Sequence, residues 1–211
     1  MADYRLHCFA QSGNSYKAAL ALALARADWE PVFVDFFNGE TRSPGYRARN
    51  EMGETPMLEH AGLTLSQSGV ILDYLSGRLG RFGPEDEAER LEILRWILWD
   101  NHKFTSYTAT LRFLRTFQPE AQRDPAVIAW LEGRTLAAWK VLDTHLATRD
   151  FIVADRPTTA DLSCAGYVFF ADELGFDTGA FPAIARWRAA IAALPGWRHP
   201  YDLMPGHPLQ P

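Results

Sequence analysis

"ETPMLEHAGLTLSQSGVILDYL", residues 54–75, holds a proline, two short apolar runs, a turn and a helix start in quick succession. "TPMLEH" and "LTLS" read as strands joined at Ala61-Gly62, a hairpin signal. Gln67 and Ser68 then open a helix in which Val70, Ile71, Tyr74, Leu75 and Leu79 recur at helical spacing, with Gly80 as the stop. Pro56 is the odd residue, because strands avoid a residue that cannot donate to the ladder. A proline at a strand entrance followed by two small polar residues at a helix start calls for an explanation beyond packing.

The chain on either side sets the architecture. Upstream, "YRLHCFA" reads as a strand and "SYKAALALALARA" as a helix of strong formers. "EPVFVDF" is a second strand and "SPGYRARN" a short irregular helix, so the first eighty residues run β-α-β-α-β-β-α. Downstream, "RFGPEDEAE" has linker and helix-start composition, and no strand pattern follows it. "EAERLEILRWILWDNHKFTSYTATLRFLRTF" is one long helical stretch with at most a kink. "DPAVIAWLEGRTLAAWKVLDTHLATR" is another, with Asp124 as N-cap and Pro125 in the first turn. "TTADLSCAGYVFFADELG" and "FPAIARWRAAIAAL" complete it, and the tail from His199 reads as irregular but packed by Tyr201, Leu203 and Met204. The expected organisation is an α/β domain over 1–80, with the strand order of a thioredoxin-like fold, and an all-helical domain over 86–211.

Bulk composition narrows the function classes. The chain has 211 residues, 47% hydrophobic and 22% charged, as in an ordinary globular protein. Its net charge of −5 argues against a nucleic-acid partner, since such domains are usually basic. Cys8 and Cys164 are too few for a disulfide scaffold, and no Cys-x-x-Cys occurs. The longest apolar run, Ala18 to Ala25, is too short to span a bilayer, and "MADYRLHCFAQSGNS" lacks a signal-peptide core. The expectation is a reducing, cytoplasmic setting with no membrane and no metal.

"QSGNSYK", Gln11 to Lys17, marks the junction of the first strand and first helix. A thioredoxin-like domain carries its redox Cys-x-x-Cys here, and this chain has Ser12 and Ser15 at that spacing. Two hydroxyls exclude disulfide exchange, but a helix N-terminus still offers free N–H groups and the positive end of a dipole. Ser15 reads as the helix cap, and Ser12, three residues earlier in the turn, as the residue free for chemistry.

At this point the chain resembles the cytosolic glutathione transferases over its whole length, on four motifs in order. The Ser12-Gly-Asn-Ser15 turn is similar to that of the serine-type classes. "GETPML" resembles their Val-Pro-x-Leu with its cis-proline, "SQSGVILDYL" their Glu/Gln-Ser-x-x-Ile-x-x-Tyr-Leu, and "TTADL" their Ser/Thr-x-x-Asp capping motif. The resemblance implies glutathione as co-substrate, a small hydrophobic electrophile as its partner, and a homodimer. It implies that Ser12 donates to the glutathione thiolate. It implies a cis Thr55-Pro56 bond, with the Thr55 backbone pairing to the cysteinyl residue as a strand pairs with an extended peptide. Gln67 and Ser68 then hold the γ-glutamyl carboxylate.

The chain departs from the family where relatives often carry a cation for the glycine carboxylate: it has Glu54, with Arg42 as the compensating candidate. By resemblance Asp100 reaches across a dimer to the glutathione amine, with a solvated helix acid as the alternative. Thr158 to Asp161 reads as a structural capping box. Phe104, Tyr107 and Leu111 are candidates for the wall of an electrophile pocket, while His102 reads as a surface or interface side chain rather than a base. The expected activity is glutathione transfer to small apolar electrophiles. The alternatives are a glutathione-binding regulatory protein of this fold and a related glutathione-dependent isomerase or dehalogenase.

Overall fold

The structure, a computed structural model, describes residues 2–208. These form two compact units, Met1–Gly83 with Leu194–Pro211, and Pro84–Ala193.

The first unit is built on strands β1 (Tyr4–Cys8), β2 (Trp29–Phe33), β3 (Met57–His60) and β4 (Leu63–Ser66), in the sheet order β2-β1-β3-β4. β1 and β2 run parallel, with Tyr4 opposite Trp29, so the chain between them must cross over. Helix α1 (Gly13–Leu24) is that crossover. Its Ala- and Leu-rich sequence is buried on almost every face. β3 runs antiparallel to β1, with Leu6 opposite Leu58, and to β4. The β3–β4 turn has positive φ at both Ala61 (49°) and Gly62 (81°), the turn whose twist matches the flanking strands. Helix α2 (Pro44–Arg47) is a single turn started by Ser43, and α3 (Ser68–Leu79) ends on the left-handed Gly80. Leu6, Leu20, Leu58, Ile71 and Leu72 are wholly buried, so sheet, α1 and α3 share one core.

The tail is the first departure from expectation. Residues from Leu194 belong with the α/β unit rather than the helical one. Tyr16 Oη donates to the Arg198 carbonyl (2.9 Å), and Ala10 N donates to the Pro205 carbonyl (2.7 Å). A short helix, α9 (Pro200–Leu203), interrupts the expected irregular run, with Leu203 and Met204 buried as anticipated.

The helical unit contains α4 (Glu87–Trp99), α5 (Thr105–Thr116), α6 (Pro125–Leu146), α7 (Thr159–Cys164) and α8 (Pro182–Ala192). The interruption expected between α4 and α5 is a π-helical turn over Asp100–Phe104. α6 starts as its sequence dictates, with Asp124 accepting from Ala126 N and Pro125 inside the first turn. The "TTADLSCAGYVFFADELG" segment is not one helix. After α7 it tightens into a 3-10 stretch over Val168–Glu173, broken at Phe170 (φ −104°, ψ 34°). The buried Arg112 accounts for this, because its guanidinium lies 3.8 Å above the Phe170 ring and pairs with Glu173. Trp139, Leu142, Leu146 and Trp187 fill the centre of the unit.

Candidate active site

The turn after β1 is decided by which serine caps α1. Ser12 sits at φ −90°, ψ 108°, extended as a cap must be, and its Oγ accepts from Ser15 N at 3.1 Å. Ser15, expected as the cap, is instead inside the first helical turn. Its hydroxyl is fully buried and makes no hydrogen bond. The reason is geometric: a cap bonds to the N–H three residues ahead, and only Ser12 precedes a helical run by that distance. Capping uses a lone pair of Ser12 Oγ, so its O–H remains able to donate.

Asn14, which sequence reasoning did not single out, joins this turn to the next helix. Its Oδ1 stands 3.5 Å from Ser68 Oγ, which brings the N-termini of α1 and α3 together. The signal was its place in the first turn of α1, where a side chain meets whatever the helix N-terminus faces. α3 itself has no side-chain cap. Gln67, at its entrance, adopts φ 69°, ψ 116°, a backbone state that costs a non-glycine residue about 1–3 kcal/mol and clusters at functional sites. Its amide points away from the helix, with Nε2 donating to Glu54 Oε2 at 2.8 Å. The uncapped N–H groups of α3 are therefore left open to an anion.

The Thr55-Pro56 bond is cis. The carbonyl just before it, that of Glu54, is held twice, by Tyr46 Oη (2.8 Å) and Asn50 Nδ2 (2.7 Å). Those bonds fix Thr55 at the β3 entrance. Its own N–H and C=O make no hydrogen bond within the described residues, leaving a short edge of unpaired backbone just before β3. Through Glu54 and Gln67 this edge is tied to α3, and through Ser68 and Asn14 to α1. Ser12, Thr55, Pro56, Gln67 and Ser68 are thus linked through neighbouring contacts within the α/β unit, with Ser12, Pro56 and Ser68 buried.

Arg42 stands apart, exposed at the end of a 3-10 turn and without an ion pair among the described residues. Cys8 is wholly buried, and burial pushes its thiol up to about 12, so it is inert as a nucleophile. Burial also pushes the Tyr46 hydroxyl up to about 12, leaving it a donor to Glu54.

Three expectations in the helical unit are corrected. Asp100 is fully buried, and its two oxygens accept from Thr105 Oγ1 (2.8 Å) and Ser163 Oγ (2.6 Å). A carboxylate satisfied in this way is a structural link between helices, neither a solvated acid nor one offered to another molecule. Phe104 is 1% exposed, between the rings of Trp99 and Trp139, and Leu111 is wholly buried, so both build the core. Phe104 closes the π-helical turn, where the side-chain directions depart from α-helical periodicity. Tyr107 remains half-buried, its ring against Trp130 with Lys103 above it. His102 is exposed, as read.

Comparison with known proteins agrees with this geometry. The family model for the glutathione S-transferase N-terminal domain matches residues 3–77, and that for the C-terminal domain matches residues 105–195. Maleylacetoacetate isomerase from Pseudomonas aeruginosa is 29% identical over 206 residues, covering 93% of this chain and 95% of its own. A solved structure described as a possible glutathione S-transferase from Rhodopseudomonas palustris is 34% identical and covers 97% of this chain and 92% of its own, with TM-score 0.88. A theta class glutathione S-transferase from Xanthomonas axonopodis pv. citri, solved with glutathione bound, is 25% identical; it covers 93% of this chain and 95% of its own, with TM-score 0.86.

Proposed function

The chain belongs to the glutathione S-transferase family, and we propose that it activates the thiol of glutathione at Ser12 and joins it to a small apolar electrophile. The observation that carries this reading is the unpaired Thr55 edge flanked by two helix N-termini, one capped by a serine whose proton is unassigned. An extended tripeptide has a use for each part. Its cysteinyl backbone pairs with Thr55, its γ-glutamyl carboxylate takes the open N–H groups at Ser68, and its sulfur lies before Ser12. A free thiol near pKa ~8.5 is only a few per cent ionised at neutral pH. One serine hydrogen bond together with the α1 dipole, lowering that value by about two units, supplies about 2.7 kcal/mol of differential stabilisation.

Ser12→Ala tests the assignment. Turnover with chlorodinitrobenzene should fall about tenfold or more, the loss expected for one charge-assisted hydrogen bond of ~1.5–3 kcal/mol. Glutathione affinity should change much less. If Ser15→Ala abolishes turnover while Ser12→Ala leaves it intact, the assignment is wrong.

The near full-length likeness to maleylacetoacetate isomerase favours a second reading, glutathione-dependent isomerisation by the same thiolate. Assaying both substrates on one preparation separates the two. Tyr107 is kept as a candidate contact for the second substrate, and Arg42 as one for the glycine carboxylate. A homodimer is supported by Leu91, Leu94 and Leu98, exposed along one stripe of α4 at 53%, 43% and 62%. A reducing, cytoplasmic setting accords with Cys8 and Cys164 both being buried and neither joined in a disulfide.

A further inference from the structure

We propose that the C-terminal tail positions the catalytic turn: residues 205–207 act as a strap that holds Phe9, Ala10 and Gln11, and through them Ser12, in the geometry that ionises the thiol. This rests on the assignment of Ser12 above.

Each residue leading into Ser12 is held by the tail. Ala10 N donates to the Pro205 carbonyl at 2.7 Å. The Gln11 side chain uses both ends of its amide on one residue, Nε2 donating to the His207 carbonyl (2.8 Å) and Oε1 accepting from His207 N (3.2 Å). That two-point contact is the one a neighbouring strand would make, offered here by a side chain. Phe9 is held through the His207 imidazole, which lies among the rings of Phe9 (5.8 Å), Phe33 (5.0 Å) and Phe37 (4.6 Å). Asp35 Oδ1 stands 3.5 Å from its Nδ1. Phe9, Ala10 and Gln11 are all at least 95% buried.

The residue between the two anchors shows how close the approach is. A Cβ on Gly206 would lie 2.8 Å from Ala10 Cβ and 3.0 Å from Gln11 Oε1. Gly206 is thus the residue type that lets the tail reach the loop. Inside the loop, Ser12 N is used by the Phe9 carbonyl (3.0 Å), so displacing Phe9 moves Ser12 directly. The bond to Pro205 is the hydrogen bond described for the Ala10 N–H. A catalytic turn held by a segment distant in the chain can shift without unfolding, and a misplacement of about 1 Å in such a group costs up to about a hundredfold in rate.

The strap makes a forecast that a merely structural tail does not. Loosening it should raise the pKa of enzyme-bound glutathione while leaving the tripeptide bound. The readout is the thiolate's ultraviolet absorbance during a pH titration of the glutathione complex, independent of any electrophile, with affinity measured separately by calorimetry. Two variants are compared with the parent. One is a chain ending at Met204. The other is Gln11→Glu, nearly isosteric, which removes the donor to the His207 carbonyl and sets two acceptors against each other. The expected result is an upward shift of about one pH unit in thiol ionisation, with about a threefold fall in kcat/KM at pH 7, approaching tenfold well below the thiol pKa, and a smaller change in Kd. Ser12→Ala is the control: if it does not shift the thiol, the assignment of Ser12 falls, independently of the strap. If it does, while Gln11→Glu and the shortened chain titrate like the parent, the strap is overturned. Should the shortened chain fail to fold, Gln11→Met, which removes both contacts with His207 without adding a charge, decides.

Discussion

Asp161→Ala should be far more damaging than the loss of a helix cap. Read from sequence, Thr158 to Asp161 is a capping box, worth ~0.5–2 kcal/mol. The structure puts four donors on this one fully buried carboxylate. Oδ1 accepts from Ile152 N (2.9 Å) and Trp187 Nε1 (2.9 Å), while Oδ2 accepts from Thr158 N (2.8 Å) and Thr158 Oγ1 (3.0 Å). The threonine hydroxyl can rotate to another acceptor after truncation, but the three N–H groups cannot. Each buried donor left without a partner costs about 1–3 kcal/mol, so three cost at least about 3 kcal/mol even at the low end. Against a total stability of about 5–15 kcal/mol, that is a large share. At about 2–4 °C per kcal/mol for a chain of this size, the melting temperature should drop by roughly 6–12 °C or more. Thermal unfolding followed by circular dichroism, with urea titration for the free energy, measures it. Asp161→Asn keeps one oxygen and the volume, so it should fall between the parent and Asp161→Ala. A melting temperature for Asp161→Ala within about 2 °C of the parent would refute the four-donor account.

Three further outcomes are expected. Glu54→Lys should tighten glutathione, more at low salt than at high. Two carboxylates at ~5 Å repel by about 3 kcal/mol at an effective dielectric of ~20. A third of that surviving screening is about fivefold in Kd, and unchanged calorimetry would place the glycine carboxylate elsewhere. Stability should fall on acidification, because burial holds buried His7 below its ordinary value. Around and below that ordinary value the unfolded chain therefore binds the extra proton. For Glu59, burial works upward, yet the close approach of His7 (3.2 Å, off the hydrogen-bond axis) with Arg5 and Arg49 keeps it low. Its stabilisation is present above its unfolded value and is lost as pH falls through the folded one. His7→Gln should flatten the upper part of this dependence, and an unaltered slope from neutral pH downward would count against His7. Leu94→Arg on α4 should shift the protein to monomers in light scattering, whereas an unchanged mass means the leucine stripe is not the contact between copies.

Features governed by neighbours a few residues away were legible in the sequence. The β-α-β-α-β-β-α order, the Ala61-Gly62 turn, the Asp124-Pro125 start of α6 and the Thr158–Asp161 box depend on periodicity and cap chemistry, which span one helical turn. The cis Thr55-Pro56 bond was legible from family motifs alone. Tertiary structure decided the matters in which a residue's role depends on what approaches from far along the chain. It made Ser12 rather than Ser15 the cap, because the first helical residue, which sequence leaves uncertain by a position or two, sets which N–H is orphaned. It buried Asp100 under Ser163, and Phe104 between Trp99 and Trp139, because both lie in the π-helical turn, where the side-chain directions depart from the α-helical periodicity that sequence reading assumes. It carried the tail back to Gln11, 196 residues upstream. On the tail side that pairing uses backbone groups, which every residue possesses, so no pattern in the tail could announce it; only the Gln11 amide, the close fit at Gly206 and the burial of the loop make it specific.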